Sequence, residues 1–232
     1  MCGRFTLTVS HLAEVAEAVG AWLSPDLAAE YRPRFNVAPT QRHPIVRADA
    51  GRRELVPAHW GLVPAFAKDR SIGHRLINAR GESVAEKPAF RAAYRSRRCV
   101  VPADGFYEWT GPKGARQPVW FHAPDRSLLW LAGLFAMWTD RATGEVLTTF
   151  TIVTTAANEV VAKVHARMPA VLGTVDVSEW LEAADPKALL VPAPVARLVA
   201  SPASCRLNSP REDDADLLAP DDPRARGQRA LF

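Results

Sequence analysis

Four segments in the middle of the chain, 98–101, 119–122, 127–135 and 146–155, are dense in β-branched and aromatic residues and are separated by Gly, Pro and Asp. Such side chains fit a pleated, half-buried surface, and the breakers between them suit turns, so the centre of the chain is expected to be sheet. Helical patterning lies before and after these segments without alternating with them. That disfavours a doubly wound parallel sheet and predicts a single α+β domain. The 232 residues are enough to bury a substantial core. No apolar run reaches the ~18 residues of a membrane-spanning helix. Residues 1–5 lack the apolar stretch of a secretory signal. Cys2, Cys99 and Cys205 are too few and too far apart for a disulfide framework or a zinc cluster, so a reducing, cytoplasmic setting is expected.

The remaining elements carry weaker patterns. Residues 10–19 read as a helix capped by Ser10, with Leu12, Val15, Ala16 and Val19 on one stripe and Gly20 at its end. The proline-rich stretch 24–44 reads as loop with one helical turn near 26–30, and short strands follow at 45–48 and 54–60. Pro88 suits the first turn of a helix that faces Phe90, Ala93 and Tyr94 inward. Residues 155–164 also pattern as a helix, and Ser178 is placed to cap another over 179–184. After Pro210 the composition shifts to Asp, Arg, Pro and Ala. The expected organisation is therefore one domain over 1–210 and a mobile tail over 211–232.

Charge is clustered. From Lys68 to Arg98 there are nine Lys/Arg against three acids, a larger excess than the +4 of the whole chain. Concentrated arginine favours a polyanionic partner such as nucleic acid. The acidic tail has no partner that its pattern suggests.

Four places carry chemistry-bearing residues. If Met1 is removed, Cys2 offers an α-amine and a thiol on neighbouring carbons, with ordinary pKa values of about 7.7–8.0 and about 8.5. The amine condenses with an aldehyde, and the thiol then closes a five-membered thiazolidine ring. No internal cysteine can do this, because its nitrogen is an amide. Gly3 permits close backbone approach, and Arg4 supplies a charge suited to phosphate. Second, Asn78 and Arg80 sit in Ile-Asn-Ala-Arg inside the basic stretch. Third, Glu108 lies between Tyr107 and Trp109 shortly after a turn-prone Asp-Gly, an apolar setting suited to general acid/base work. Fourth, His165 precedes Ala-Arg-Met-Pro, where an imidazole can shuttle a proton. Trp60 can stack a base, whereas Trp109, Trp120, Trp130 and Trp138 fall in strand-like runs and are expected in the core. The histidines show no metal-ligand spacing, so no metal and no cofactor is expected.

Taken together, these pieces resemble the SRAP family, the SOS-response-associated peptidase or abasic-site-processing proteins. The resemblance rests on Met-Cys-Gly-Arg-Phe at 1–5, Phe-Asn-Val-Ala-Pro-Thr at 35–40, Trp-Gly-Leu-Val-Pro at 60–64 and Asn-Ala-Arg-Gly-Glu at 78–82. It continues with Phe-Arg at 90–91, Arg-Cys-Val-Val-Pro-Ala-Asp-Gly-Phe-Tyr-Glu-Trp at 98–109, Thr-Thr-Ala-Ala-Asn at 154–158 and His-Ala-Arg-Met-Pro at 165–169. It implies a β-rich, barrel-like core of two packed sheets flanked by helices. It also implies a protein that removes its own Met1, binds abasic sites in single-stranded DNA and crosslinks to them through Cys2, a lyase-type chemistry. Asn78 would position the reacting groups, Glu108 would assist Met1 removal and proton transfer, and His165 would act on the sugar. Arg4, Arg80 and Arg167 would bind phosphates, with Gly3, Asn36, Pro39, Trp60, Phe66 and Met168 completing the DNA-contacting set. Some relatives carry extra Trp after Pro64, where this chain has Phe66.

Two other readings compete. An N-terminal-nucleophile amidohydrolase of the glutamine amidotransferase type also begins Met-Cys-Gly and would use the Cys2 amine as its base. A DNA-binding module without chemistry would use only the basic stretch.

Overall fold

The computed structural model describes residues 2–112 and 114–221. In chain order the elements are β1 (Arg4–Leu7), α1 (Leu12–Ala18), α2 (Pro25–Glu30), β2 (Arg34–Val37), β3 (Arg42–Asp49), β4 (Arg52–Trp60), β5 (Asn78–Arg80), α3 (Arg91–Ser96) and β6 (Arg98–Ala103). They continue as β7 (Gly105–Thr110), β8 (Gln117–His122), β9 (Leu129–Thr139), β10 (Val146–Ala156), β11 (Arg167–Pro169), β12 (Val171–Leu172), α4 (Val177–Glu182) and β13 (Val199–Pro202). Short 3-10 turns link many of them.

Two sheets organise the molecule. The larger runs β11-β10-β4-β3-β6-β9-β12, with β5 beside β10. Because β9 also pairs with β10 from Val146↔Thr139 to Ile152↔Gly133, strands β10, β4, β3, β6 and β9 close into a five-stranded barrel. The smaller sheet runs β13-β8-β7-β1-β2. The fold is thus the expected single α+β domain with a barrel-like core, its sheets joined where β6 runs into β7. The turn-prone Asp104-Gly105 pair is this corner. The Asp104 carboxylate accepts from the Thr8 N–H at 2.5 Å and from the Thr6 and Thr8 hydroxyls. A Cβ on Gly105 would meet Trp120 Nε1 at 2.0 Å, so only glycine fits there.

Strand alternation sorts side chains into two clusters. Val46, Leu55, Val100, Ala132, Leu134 and Val153 share one with α1, α3 and α4. Ile45, Ala58, Trp60, Val101, Phe150 and Ile152 share the other with Phe5, Phe106 and Phe121 of the small sheet. A third cluster, Tyr107, Trp120, Ala203, Leu207 and Leu217, covers the small sheet's far face.

Several local expectations are corrected. His11, not Ser10, precedes the first turn of α1, and the helix ends before Gly20 at φ +61°. The segment 155–164 is not a helix. β10 runs to Ala156, held by β5 and β11, and only Val161–Lys163 coils as a 3-10 turn. Asn158 explains the break: its Oδ1 accepts from the Val161 N–H at 3.0 Å and its Nδ2 donates to the Ala193 carbonyl at 3.0 Å, a local alternative to helical bonds. Asp176, not Ser178, precedes α4. Residues 211–221 are not a loose tail either. Leu217 is fully buried against Tyr107 and Trp120, and Asp213 grips β2, so this part of the segment belongs to the domain. The rest of the expected tail, 222–232, lies outside the described residues, as does Met1. Among the described residues no helix is long and apolar enough to cross a membrane.

Candidate active site

Cys2 leads into β1, which lies between β2 and β7 in the small sheet. The pairing Arg4↔Tyr107, Phe5↔Phe106 runs antiparallel, so the chain ahead of β1 travels alongside Glu108. Cys2 is fully buried in the cluster between the sheets, and its thiol donates weakly to the Arg4 carbonyl at 3.7 Å. Burial pushes the thiol well above its ordinary pKa, and the nearby Glu108 carboxylate pushes it further. The sulfur is therefore held as a neutral thiol. Glu108 itself is 4% exposed, on the face of β7 that carries Phe106.

Asn78 comes from the opposite sheet. β5 pairs in parallel with β10 through Ile152↔Asn78 and Thr154↔Arg80. From there the Asn78 Nδ2 donates to the Cys2 carbonyl at 2.8 Å, while its Oδ1 is buried without a partner among the described residues. Trp60 secures this strand: its Nε1–H donates to the Ile77 carbonyl at 2.8 Å. Trp60 is only 1% exposed and stacks on Phe150, so it packs the core and offers no face to a base.

The C-terminal end of β10 gathers the other expected residues. Arg80 is exposed there, on the same side of β5 as Asn78. Arg167 donates to the Thr154 carbonyl at 2.6 Å and forms a two-pronged ion pair with Glu82. The pairing holds the Glu82 carboxyl below its ordinary pKa, chiefly through the hydrogen bond from Arg167. His165 lies just ahead of β11. Its Nδ1 lies 2.9 Å from the Arg167 backbone nitrogen and 3.1 Å from the Arg167 carbonyl oxygen, which fixes the ring against the start of β11.

The expected DNA-contacting residues divide. Phe66 is 63% exposed, and Gly3 and Pro39 are partly exposed. Met168 and Asn36 are fully buried, as Cys2 is. Asn36 accepts from Arg4 Nη1 at 2.8 Å. Burial lowers the pKa of Arg4, whose guanidinium also lies 5.9 Å from the Trp109 ring centroid. The basic stretch likewise loses a member: Arg98 is 6% exposed and bonds helix-end carbonyls. A cleft lined by Thr40, His59, Arg70 and His74 opens elsewhere, and none of Cys2, Asn78, Glu108 or His165 lines it.

Sequence reading overlooked Trp180 and the segment around Asn208–Asp213. The signal for Trp180 was its place in the apolar Val177-x-x-Trp180-Leu181 stripe; its Nε1 donates to the Cys99 carbonyl at 2.8 Å. The acidic segment gave no pattern that points to a packed structure.

Comparison with known proteins places the chain in a family. The family model for the SOS response associated peptidase (SRAP) matches residues 1–210. The abasic site processing protein YoqW of Bacillus subtilis is 38% identical, with 94% of this chain and 99% of the relative covered. The abasic site processing protein HMCES of Gallus gallus is 31% identical, with 95% and 78% covered. A crystal structure of a Bacteroides thetaiotaomicron protein superposes with a TM-score of 0.85 at 25% identity, covering 95% of this chain and 100% of the other. With its matched segment reaching from the first residue through β13, this chain belongs to the SRAP family.

Proposed function

We propose that this chain processes abasic sites in single-stranded DNA by capturing the open-chain sugar aldehyde on Cys2. The support comes from the relatives named for abasic site processing and from the grouping of Cys2, Asn78 and Glu108. The single observation that carries the reading is the hold of Asn78 on the Cys2 carbonyl beside a buried carboxylate. Such a hold serves a terminal residue whose backbone atoms must be aimed.

The first step is hydrolysis of the Met1–Cys2 amide, which consumes water and frees methionine and the Cys2 amine. The amine then adds to the aldehyde carbon and water leaves, giving an imine. The sulfur attacks the same carbon, forming the C–S bond, while the thiol proton passes through Glu108 to the imine nitrogen. The net change is amine, thiol and aldehyde to thiazolidine and water. A thiol kept neutral by burial and by Glu108 fits this order, because ring closure then waits on the carboxylate. His165 moves the proton that opens the sugar ring. Arg80 and Arg167 meet the flanking phosphates, Arg167 by exchanging Glu82 for phosphate.

The test is intact mass and denaturing electrophoresis of the protein with an abasic single strand. Wild type loses Met1 and gives a stable adduct. Cys2→Ala and Cys2→Ser keep the amine but lose the sulfur, so each gives a reversible imine and no stable adduct. A stable adduct on Cys2→Ala overturns the mechanism. Ammonia release from glutamine favours the amidohydrolase reading, and equal binding of intact and abasic strands without an adduct favours the module without chemistry.

A further inference from the structure

Arg4 is held by Leu207, Asn36 and Trp109, and one short stretch of chain, 207–213, supplies the first and fixes the other two. Its Nη1 donates to the Leu207 carbonyl at 2.7 Å and to Asn36 Oδ1 at 2.8 Å. Its guanidinium faces the ring of Trp109, whose Nε1 donates to Asn208 Oδ1 at 3.0 Å. Asn36 is itself fixed from the same stretch: its Nδ2 donates to the Ser209 carbonyl at 3.1 Å and to the Glu212 carbonyl at 2.7 Å. Asp213 completes the bracket. Its Oδ1 accepts from the Phe35 N–H at 2.6 Å and the Asn36 N–H at 2.9 Å, and its Oδ2 accepts from Arg34 Nε. The Arg4 Nε and Nη2 take no partner among the described residues.

From this geometry we propose that residues 207–213 are a positioning bracket for the DNA backbone, with Asp213 as its latch and Arg4 as the group it aims at a phosphate. This deepens the reading of the site and rests on it. The amide of Asn36 can present its oxygen to Arg4 only if its nitrogen faces the Ser209 and Glu212 carbonyls. That choice is imposed by a segment reaching past residue 210, where the family match ends. An arginine with one terminal nitrogen already anchored loses less freedom when it meets a phosphate, so the bracket raises affinity through pre-organisation. It also closes off the outer edge of β2, which otherwise presents unpaired N–H groups.

The experiment measures equilibrium binding of full-length protein to an abasic single strand across a salt series, with Cys2→Ala as the background so that no thiazolidine forms and binding stays reversible. Asp213→Ala is expected to weaken binding roughly tenfold, as is Arg4→Ala, each flattening the log–log salt slope by about 0.7, one phosphate contact. The double variant is expected to bind no worse than Arg4→Ala alone, because both remove one contact. Asp213→Glu is expected to recover most of the loss. Should Asp213→Ala misfold by thermal melt, Arg34→Gln, which loosens the same latch while leaving its N–H contacts, takes its place. Unchanged affinity and slope, or additive losses in the double variant, overturn the bracket. An adduct absent from protein with native Cys2 overturns the parent reading instead, so the two failures are distinguishable.

Discussion

At the scale of single residues, Glu108 serves two opposed ends. Its negative charge disfavours the Cys2 thiolate, yet in the proposed mechanism it is the base for ring closure. Glu108→Gln separates these effects. Removing the charge lowers the thiol pKa, although burial, the larger cause, keeps it above the ordinary value. The rate of adduct formation falls all the same, by about 10²–10³-fold, because the proton acceptor is gone. The thiolate absorbance followed against pH, together with single-turnover adduct rates, checks both signs. A faster adduct in Glu108→Gln would mean that thiol ionisation alone limits closure. Cys2 and Glu108 were legible in sequence because their residue types are unusual where they stand. Trp60 was only half legible: an indole reads equally as a stacking face or as core, and burial decides.

At the scale of elements, Arg98 ties two helices to the barrel. Its Nη1 donates to the Tyr94 carbonyl at 2.7 Å at the end of α3, and its Nε and Nη2 donate to the carbonyls of Trp180 and Ala183 around the end of α4. Helices α3 and α4 have six residues each, too short to persist without tertiary support. A cation at both C-terminal ends satisfies otherwise orphaned carbonyls and complements the helix dipoles. Arg98→Met leaves those carbonyls buried without donors and is expected to cost about 3 kcal/mol, read as a lower urea midpoint. A shift within error would mean that water replaces the guanidinium. The strands of the barrel were legible because alternation and β-branching mark them one by one. The break after β10 was not, because Thr-Thr-Ala-Ala-Asn is compatible with a helix until Asn158 finds Val161 and Ala193.

At the scale of the whole molecule, acid sensitivity follows from the buried histidines. His43 is 2% exposed between Phe5 and Phe150, its Nε2 donating to the Pro102 carbonyl at 2.8 Å. Burial lowers its pKa from 6.5 to about 3. Between those values the unfolded chain binds the proton and the folded chain does not. Stability is therefore fully present above about 6.5 and falls as pH drops through the window, by up to about 1.4 kcal/mol per pH unit. His59 and His122 shift in the same direction, also mainly through burial. His43→Phe is expected to flatten the dependence of the urea midpoint on pH across that window, leaving the smaller slope of the other two. An unchanged slope would assign the acid sensitivity to other groups.

What the sequence by itself determined is the chemistry on offer and the local rhythm of the strands: an amine and thiol at Cys2, a carboxylate between aromatics, arginines in one stretch. These follow from residue type and short-range spacing. Only the tertiary structure decided which of them meet. Asn78 reaches Cys2 because the barrel and the small sheet pack face to face, Arg98 leaves the basic surface because two helix ends need donors, and Arg4 is held by a segment some two hundred residues away. Contacts at such separations depend on how sheets close and stack, and no local pattern in one chain records that.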